Sequence, residues 1–460
     1  MRITLCAVAV LFLAGLAIAG PPRGAKLSLK KGLPKAEGLG KLAILSNLPK
    51  SGPGWKAVKR LADHRDAKIL WFPKDKVRTV ESKLKSIGPE FVALAVTPTT
   101  VDMNFQLEVL ELCRGLDRDP MPDFHFGYLC ARTGEDLAAL IGRIIAREAK
   151  KDAGNVAKTA SATPPGTHLA ALDYVLHFGH GQPWRVNNGL TAEQVTALEL
   201  PRSPVIFSGA CFTGVLSRSY HKSAYQRIFL KPVEIAPEKL ISLSWVHAGV
   251  SGYFAPLEGD RGEMAMAEWA WFRERACSLG ETIGYQYRLA FTSLPEDYEG
   301  FPRYVPGQPK RMWFYDVMLR GMISRILVSD PSFRPLEEPL DEPVLGDEVA
   351  HDAKKKELTV RVTVKRWSQG HLLNYLPKSG KGIFDRRVFR RIAVPEELRG
   401  YPGKPEVRAT LGDDEIPLTR FHVRHEVWGG ARYLCLQAES EDGRLGKTGA
   451  SVEYRFPVEK

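Results

Sequence analysis

Two short apolar runs between Leu172 and Leu216, each ending in glycine and a reactive side chain, constrain the fold more than any other feature of the chain. Tyr174-Val175-Leu176 leads through His177 and Phe178 into Gly179-His180-Gly181, and Pro204-Val205-Ile206-Phe207 leads through Ser208-Gly209-Ala210 into Cys211. Runs this short, rich in Val, Ile and aromatic residues and bounded by Gly and Pro, predict buried strands. Between them Thr191-Ala192-Glu193-Gln194 has the form of a capping box, and Val195 and Leu198 follow at helical spacing. Consecutive strands joined by a helix lie parallel with a right-handed crossover, so their carboxyl ends emerge at one edge of the sheet. That edge is where open parallel sheets take ligands, and here it brings His180 and Cys211 side by side.

The flanking sequence supplies the rest of such a sheet. Leu42 to Leu45, Lys68 to Phe72 and Phe91 to Val96 read as strands, separated by helical spacing at Trp55, Val58, Leu61 and Ala62 and again at Val80, Leu84 and Ile87. Alternating strand and helix predicts a mostly parallel sheet flanked by helices. Phe105 to Leu116, Glu135 to Ala149, Met264 to Cys277 and Leu279 to Phe291 continue as helices, with Phe124 to Gly127 a short segment between the first two. Lys239 to Trp245 and Val250 to Phe254 read as further strands. Lys151 to Thr167 reads as a polar surface loop, and Pro335 to Asp352, dense in Pro, Glu and Asp, as a linker. Beyond it Leu358 to Val364, Phe421 to Arg424 and Ser451 to Phe456 alternate apolar and polar residues, which predicts a small β-sandwich.

At 460 residues the chain suits two domains. Arg2, an apolar run from Ile3 to Leu16 and Ala17-Ile18-Ala19 read as a secretory signal peptide, and no later stretch is long and apolar enough for a transmembrane segment. The expected order is signal peptide 1–19, leader 20–40, an α/β domain 41–336, linker 337–354 and a β-sandwich 355–460. An exported product is expected, in the periplasm, at the cell surface or outside the cell. Cys6 leaves with the signal; Cys113, Cys130, Cys211, Cys277 and Cys435 remain, an odd number that leaves at least one thiol unpaired. Cys113 and Cys130 are close enough in sequence to pair, which sequence alone does not establish. Net charge is +12, but it is scattered and accompanied by no zinc-finger, RNA-binding or helix-turn-helix pattern, so nucleic acid is not an expected partner.

A cysteine beside a histidine at a ligand-binding edge is the equipment of thiol acyl transfer. Free cysteine titrates near pKa ~8.5, and a helix starting at Cys211 would favour its thiolate. His177, three residues before His180, falls on the other strand face and reads as a supporting residue. A zinc site of His177, His180 and Cys211 is the chemical rival; it lacks a clean fourth ligand and any Cys-x-x-Cys pair. Glu258, Asp260 and Glu263 lie in a glycine-flanked loop where an acidic side chain suits a basic substrate residue, with a solvated acidic loop as the plainer reading. The aromatic stripe of Trp269, Trp271 and Phe272 reads as core.

His-Gly after one strand and Ala-Cys after a later one resembles the signature of the clan CD cysteine peptidases, which include caspases, legumain, separase and the gingipains. HFGHG followed by VIFSGACFTG is most similar to the gingipain-like family, with the CHAT domain next. The stretch from Pro122 to Leu137 is similar to the family's GR-x-P-x-R-T-x-x-E-L, with Tyr128 and Cys130 in place of Arg and Pro. Leu279-Gly280-Glu281-Thr282 resembles its S-L-G-E-A, and Ser329-Asp330-Pro331-Ser332-Phe333 its closing G-D-P-x-L. The resemblance spans Lys41 to Leu336.

It implies a caspase-hemoglobinase-like α/β domain followed by an immunoglobulin-like module. It also implies a cysteine endopeptidase with Cys211 as nucleophile, His180 as acid–base, and the backbone amides of Gly181 and Cys211 as oxyanion donors. Trp245, by the same analogy, joins Glu258 and Asp260 as a substrate-binding candidate. A protein or peptide substrate and a monomeric chain are expected. No metal or other cofactor is assigned; calcium is left open by the resemblance, without an EF-hand-type loop or a ligand. Transpeptidation through the same acyl-enzyme, and an inactive surface-binding module that keeps only the fold, are the alternatives.

Overall fold

The computed structural model describes residues 41–150, 169–177, 179–186, 190–217, 219–220, 233–259, 262–294, 317–366, 373–378, 381–398 and 400–458. All belong to one compact unit, Lys35–Lys460. The expected signal peptide, the leader, the loop Lys151 to Thr167 and Asp260 lie outside the described residues.

The strands are β1 (Leu42–Ser46), β2 (Lys68–Trp71), β3 (Phe91–Ala95), β4 (His125–Leu129), β5 (Tyr174–His177), β6 (Val205–Ser208), β7 (Gly252–Pro256) and β8 (Arg325–Val328). They form one sheet in the order β2-β1-β3-β4-β8-β7-β6-β5. β1 to β4 are mutually parallel and β8 joins them in parallel through Val328 and Tyr128. β5, β6 and β7 are also parallel to one another, but β7 runs antiparallel to β8. The sheet is thus two parallel blocks of opposite direction, meeting at the β7–β8 seam. β1, β3, β4 and β5 to β8 are buried along their whole lengths, as expected of parallel strands covered on both faces.

The covering helices are α1 (Gly52–Arg65), α2 (Glu81–Ile87), α3 (Met103–Cys113), α4 (Gly134–Lys150), α5 (Ala192–Thr196), α6 (Ile241–Ala248), α7 (Glu263–Arg275), α8 (Leu279–Thr292) and α9 (Val317–Ser324). Thr191 caps α5 in the expected box, bonding to the Gln194 amide while Gln194 returns to the Thr191 amide. Helix α6 corrects the strand expected over Lys239 to Trp245. Ile241 to Val246 are all buried, so the run has no polar face to reveal its helical period.

The C-terminal part is all β. Strands β9 (Leu345–Asp352), β10 (Glu357–Val364), β11 (Leu373–Lys378), β12 (Lys381–Ala393), β13 (Glu406–Leu411), β14 (Asp414–Ile416), β15 (Arg420–Trp428), β16 (Ala431–Ser440) and β17 (Ala450–Pro457) form two antiparallel sheets, β9-β10-β17-β13-β14 and β11-β12-β16-β15. Val360, Val362, Val452 and Tyr454 of one sheet share a core with Val388, Ile392, Leu434 and Leu436 of the other, which makes the sandwich. β9 falls within the segment that reads as a linker, because an edge strand with mostly exposed side chains carries Asp347, Glu348 and Asp352 without penalty.

The second face of the β12–β16–β15 sheet rests on α8. Glu426 accepts from Arg288 of α8 at 2.9 Å and from Arg391 at 2.6 Å. Burial opposes its ionisation, yet the two guanidinium groups hold its carboxyl below the ordinary value. Arg288 also lies over Trp428, whose ring is 4.6 Å from the buried His125.

Candidate active site

The parallel register of β5 on β6 sets Tyr174 beside Val205 and His177 beside Ser208, so both chains leave the sheet at the same edge. The Gly209 amide donates to the His177 carbonyl at 2.8 Å, extending the pairing one residue beyond the strands. Gly179 then adopts φ +139°, a region closed to most side chains, and His180 emerges exposed. Gly181 returns against the cysteine turn. A Cβ there would stand 2.4 Å from the Cys211 carbonyl oxygen and 2.8 Å from the Thr213 methyl. The loops bearing His180 and Cys211 are therefore in direct backbone contact, and only glycine fits at the contact.

The cysteine turn is pinned from three sides. Below it, the Thr213 hydroxyl donates to the Ala210 carbonyl at 2.7 Å and lies 3.0 Å from the Ser208 hydroxyl. Beside it, the end of β7 accepts the Gly214 amide on the Pro256 carbonyl at 2.8 Å, and the chain just beyond accepts the Phe212 amide on the Glu258 carbonyl at 2.9 Å. From the core, the Tyr253 hydroxyl donates to the Thr213 carbonyl. Within this clamp Phe212 has φ +61°, a left-handed conformation costing a bulky residue on the order of 1 kcal/mol. Cys211 is half-buried, whereas Cys113, Cys130, Cys277 and Cys435 are buried. Burial pushes the last four thiols far up in pKa, which leaves them inert as nucleophiles.

No helix starts at Cys211, which corrects the expected dipole assistance: residues 211–214 form a turn. The left-handed Phe212 turns the chain too sharply for a helix to begin there. The five cysteines among the described residues are free thiols, so Cys113 and Cys130 do not pair.

His177 is buried, and burial lowers its pKa to about 4, so it is neutral at physiological pH. Glu258 is 4% exposed and follows β7 immediately beside the cysteine turn. Trp245 is buried on α6, with its ring 6.5 Å from that of Tyr253. Among the described residues no group of three or more His, Cys, Asp or Glu side chains could hold a metal ion.

Sequence reasoning missed the support beneath β6. Arg325 and Glu268 are fully buried, bonded Nε to Oε1 at 2.8 Å, and Arg325 Nη1 donates to the Ser208 carbonyl at 2.7 Å. The only signal was a glutamate within the apolar helix Met264 to Cys277 and an arginine opening an apolar strand. The opposite edge of the sheet, at the ends of β1, β3 and β4, holds a separate depression of about 220 Å³ among Leu48, Pro53, Trp55, Val96 and Leu137. No cysteine or histidine lines it.

No protein-family profile and no curated protein sequence matches the chain. Among solved structures it is similar to one titled as the structure of a protease, with 10% identity over 86% of this chain and 90% of that one and a TM-score of 0.44. It is also similar to the Arg-specific cysteine proteinase gingipain R (RgpB), with 12% identity over 88% and 93% and a TM-score of 0.42. A third is the complex of Porphyromonas gingivalis RgpB pro- and mature domains, with 12% identity over 76% and 96% and a TM-score of 0.40. At these values the likeness assigns no residue a role.

Proposed function

We propose that the chain is an exported cysteine endopeptidase of gingipain-like type, acting through Cys211 and His180. The observation that carries this reading is the seating of Gly181 on the Cys211 carbonyl, which joins the histidine and cysteine turns at the carboxyl ends of two paired strands. His180 takes the thiol proton of Cys211 as Sγ attacks the scissile carbonyl carbon, and the carbonyl π electrons move to its oxygen. The amides of Gly181 and Cys211 are the proposed donors to that oxyanion. As the tetrahedral intermediate collapses, the C–N bond breaks and His180 delivers a proton to the leaving amine. Water then attacks the thioester, His180 takes its proton, and the thiolate leaves with the second product as a carboxylic acid.

Glu258, Trp245 and Asp260 are the proposed substrate-side residues. A buried carboxylate beside the cysteine turn suits an Arg or Lys side chain preceding the cut. The substrate is a protein or peptide, the chain acts as a monomer, and neither a metal nor calcium is assigned a step.

The test is digestion of a broad peptide library in ¹⁸O-water, with and without added amine acceptors. Cleavage after basic residues with ¹⁸O in the new carboxyl group supports hydrolysis. Coupling to the amine in place of ¹⁸O makes the enzyme a transpeptidase. Absence of any Cys211-dependent product removes the peptidase reading and leaves a surface-binding module.

A further inference from the structure

The sheet β9-β10-β17-β13-β14 buries one face in the sandwich and presents the other to solvent. Strand alternation directs Val360, Val362, Val452 and Tyr454 inward, so Arg361, Thr363, Ser451 and Glu453 point out. In register across four strands, Gly346, Thr363, Ser451 and Thr410 form one row; Glu348, Arg361, Glu453 and Arg408 form the next. A row of small residues beside a row of long ones makes a furrow across the strands. At the strand spacing it is about 15 Å long. Its volume is about 520 Å³, and Lys365, Gly412 and Gly449 close its far side.

The floor is hydroxylic: the Thr410 and Ser451 oxygens lie 3.2 Å apart, and Thr363 pairs with Ser451 in register. The walls are ionic and unbalanced. Arg361, Lys365, Arg408 and Arg455 face two carboxylates, Glu348 and Glu453, and Arg408 reaches a third, Glu415, at 3.8 Å outside the furrow. Glu453 is taken by Arg361 at 2.5 Å and Arg455 at 2.7 Å. Lys365 lies along Gly346, where a Cβ would meet its Cε at 2.3 Å, and it makes no ion pair among the described residues.

We infer that this furrow binds an acidic oligosaccharide, a short chain of hydroxyl-rich units with widely spaced carboxylate or sulfate groups. Sugar hydroxyls match the Thr and Ser floor and donate to Glu348 and Glu453, while the acid groups pair with Lys365 and the arginines. Nucleic acid fits poorly: no aromatic side chain lines the furrow for base stacking, and its dense phosphates would meet the two carboxylates. The site gives the sandwich a role in holding the chain to an anionic glycan surface.

The test is isothermal titration of the whole chain at physiological salt with tetragalacturonate, a sulfated heparin tetrasaccharide, neutral maltotetraose and a single-stranded oligonucleotide of matched charge. Saturable binding of at least one acidic sugar is expected, about tenfold or more tighter than either control. The two acidic arms distinguish carboxylate from sulfate. Lys365→Glu removes the unpaired cation and Ser451→Tyr fills the floor without changing charge; each should weaken binding about tenfold or more. Lys365 is exposed, so its variant decides the matter if Ser451→Tyr does not fold. Failure of both acidic sugars to bind overturns the inference. So does equal binding of the oligonucleotide, or affinity that Lys365→Glu leaves unchanged.

Discussion

Gly181 and Cys211 touch so closely that one added methyl group on Gly181 would stand 2.4 Å from the Cys211 carbonyl oxygen. That contact fixes the distance between the two turns on which the proposed chemistry depends. Gly181→Ala should therefore leave the sheet intact and force the turns apart. A displacement near 1 Å at a reacting pair costs about 100-fold in rate. Peptide-cleavage assays beside thermal unfolding check this: a variant that folds normally and loses activity is expected.

The buried pair Arg325–Glu268 holds the carbonyl at the end of β6, three residues before Cys211. Removing one member strands a charge in the core, so Arg325→Met should cost about 3–5 kcal/mol. Adding Glu268→Leu removes the stranded charge, and the double variant should be more stable than the single one. Urea unfolding of the two variants measures the difference.

The strand–helix–strand unit was legible because each of its signals is local: short apolar runs, a capping box and bounding glycines. The seam at β7–β8 was not, because strand direction depends on which strands become neighbours, and residues 254 and 327 pair across 73 positions. Helix α6 escaped for a related reason, Ile241 to Val246 being buried without a break. The histidine and cysteine turns were found from their glycines, while the left-handed Phe212 that shapes the second turn is invisible in a residue type that rarely adopts it.

His177 gives the fold an acid sensitivity. Its pKa falls from 6.5 to about 4 on burial. The unfolded chain thus binds a proton that the folded chain refuses between those values, and stability drops as pH falls through that window. The full effect is on the order of 3 kcal/mol. His177→Leu abolishes this titration, so the stability advantage of the native chain over the variant should shrink by about that amount between neutral pH and pH 4. Denaturant titrations at the two pH values measure it.

Glu426 ties the sandwich to α8 through Arg288, and Arg391 of β12 shares its carboxylate. Its carboxyl is held below 4.5, so this contribution is complete above that pH and is lost as pH falls through the lower folded value. Glu426→Gln should cost about 3 kcal/mol or more at neutral pH, because the buried Arg288 and the part-buried Arg391 lose their counter-charge. Calorimetry should show the transition of the sandwich separating from that of the α/β part, whereas the native chain melts in one step.

A peptidase centred on Cys211 is tested most directly by intact-mass labelling with acyloxymethyl ketone peptides carrying Arg or Lys, applied to the native chain, Cys211→Ala and His180→Ala. One label on the native chain, mapped to Cys211, is expected, with none on Cys211→Ala and greatly slowed labelling of His180→Ala. No label from a broad peptide panel, even after limited proteolysis of the native chain, would contradict a peptidase centred on Cys211.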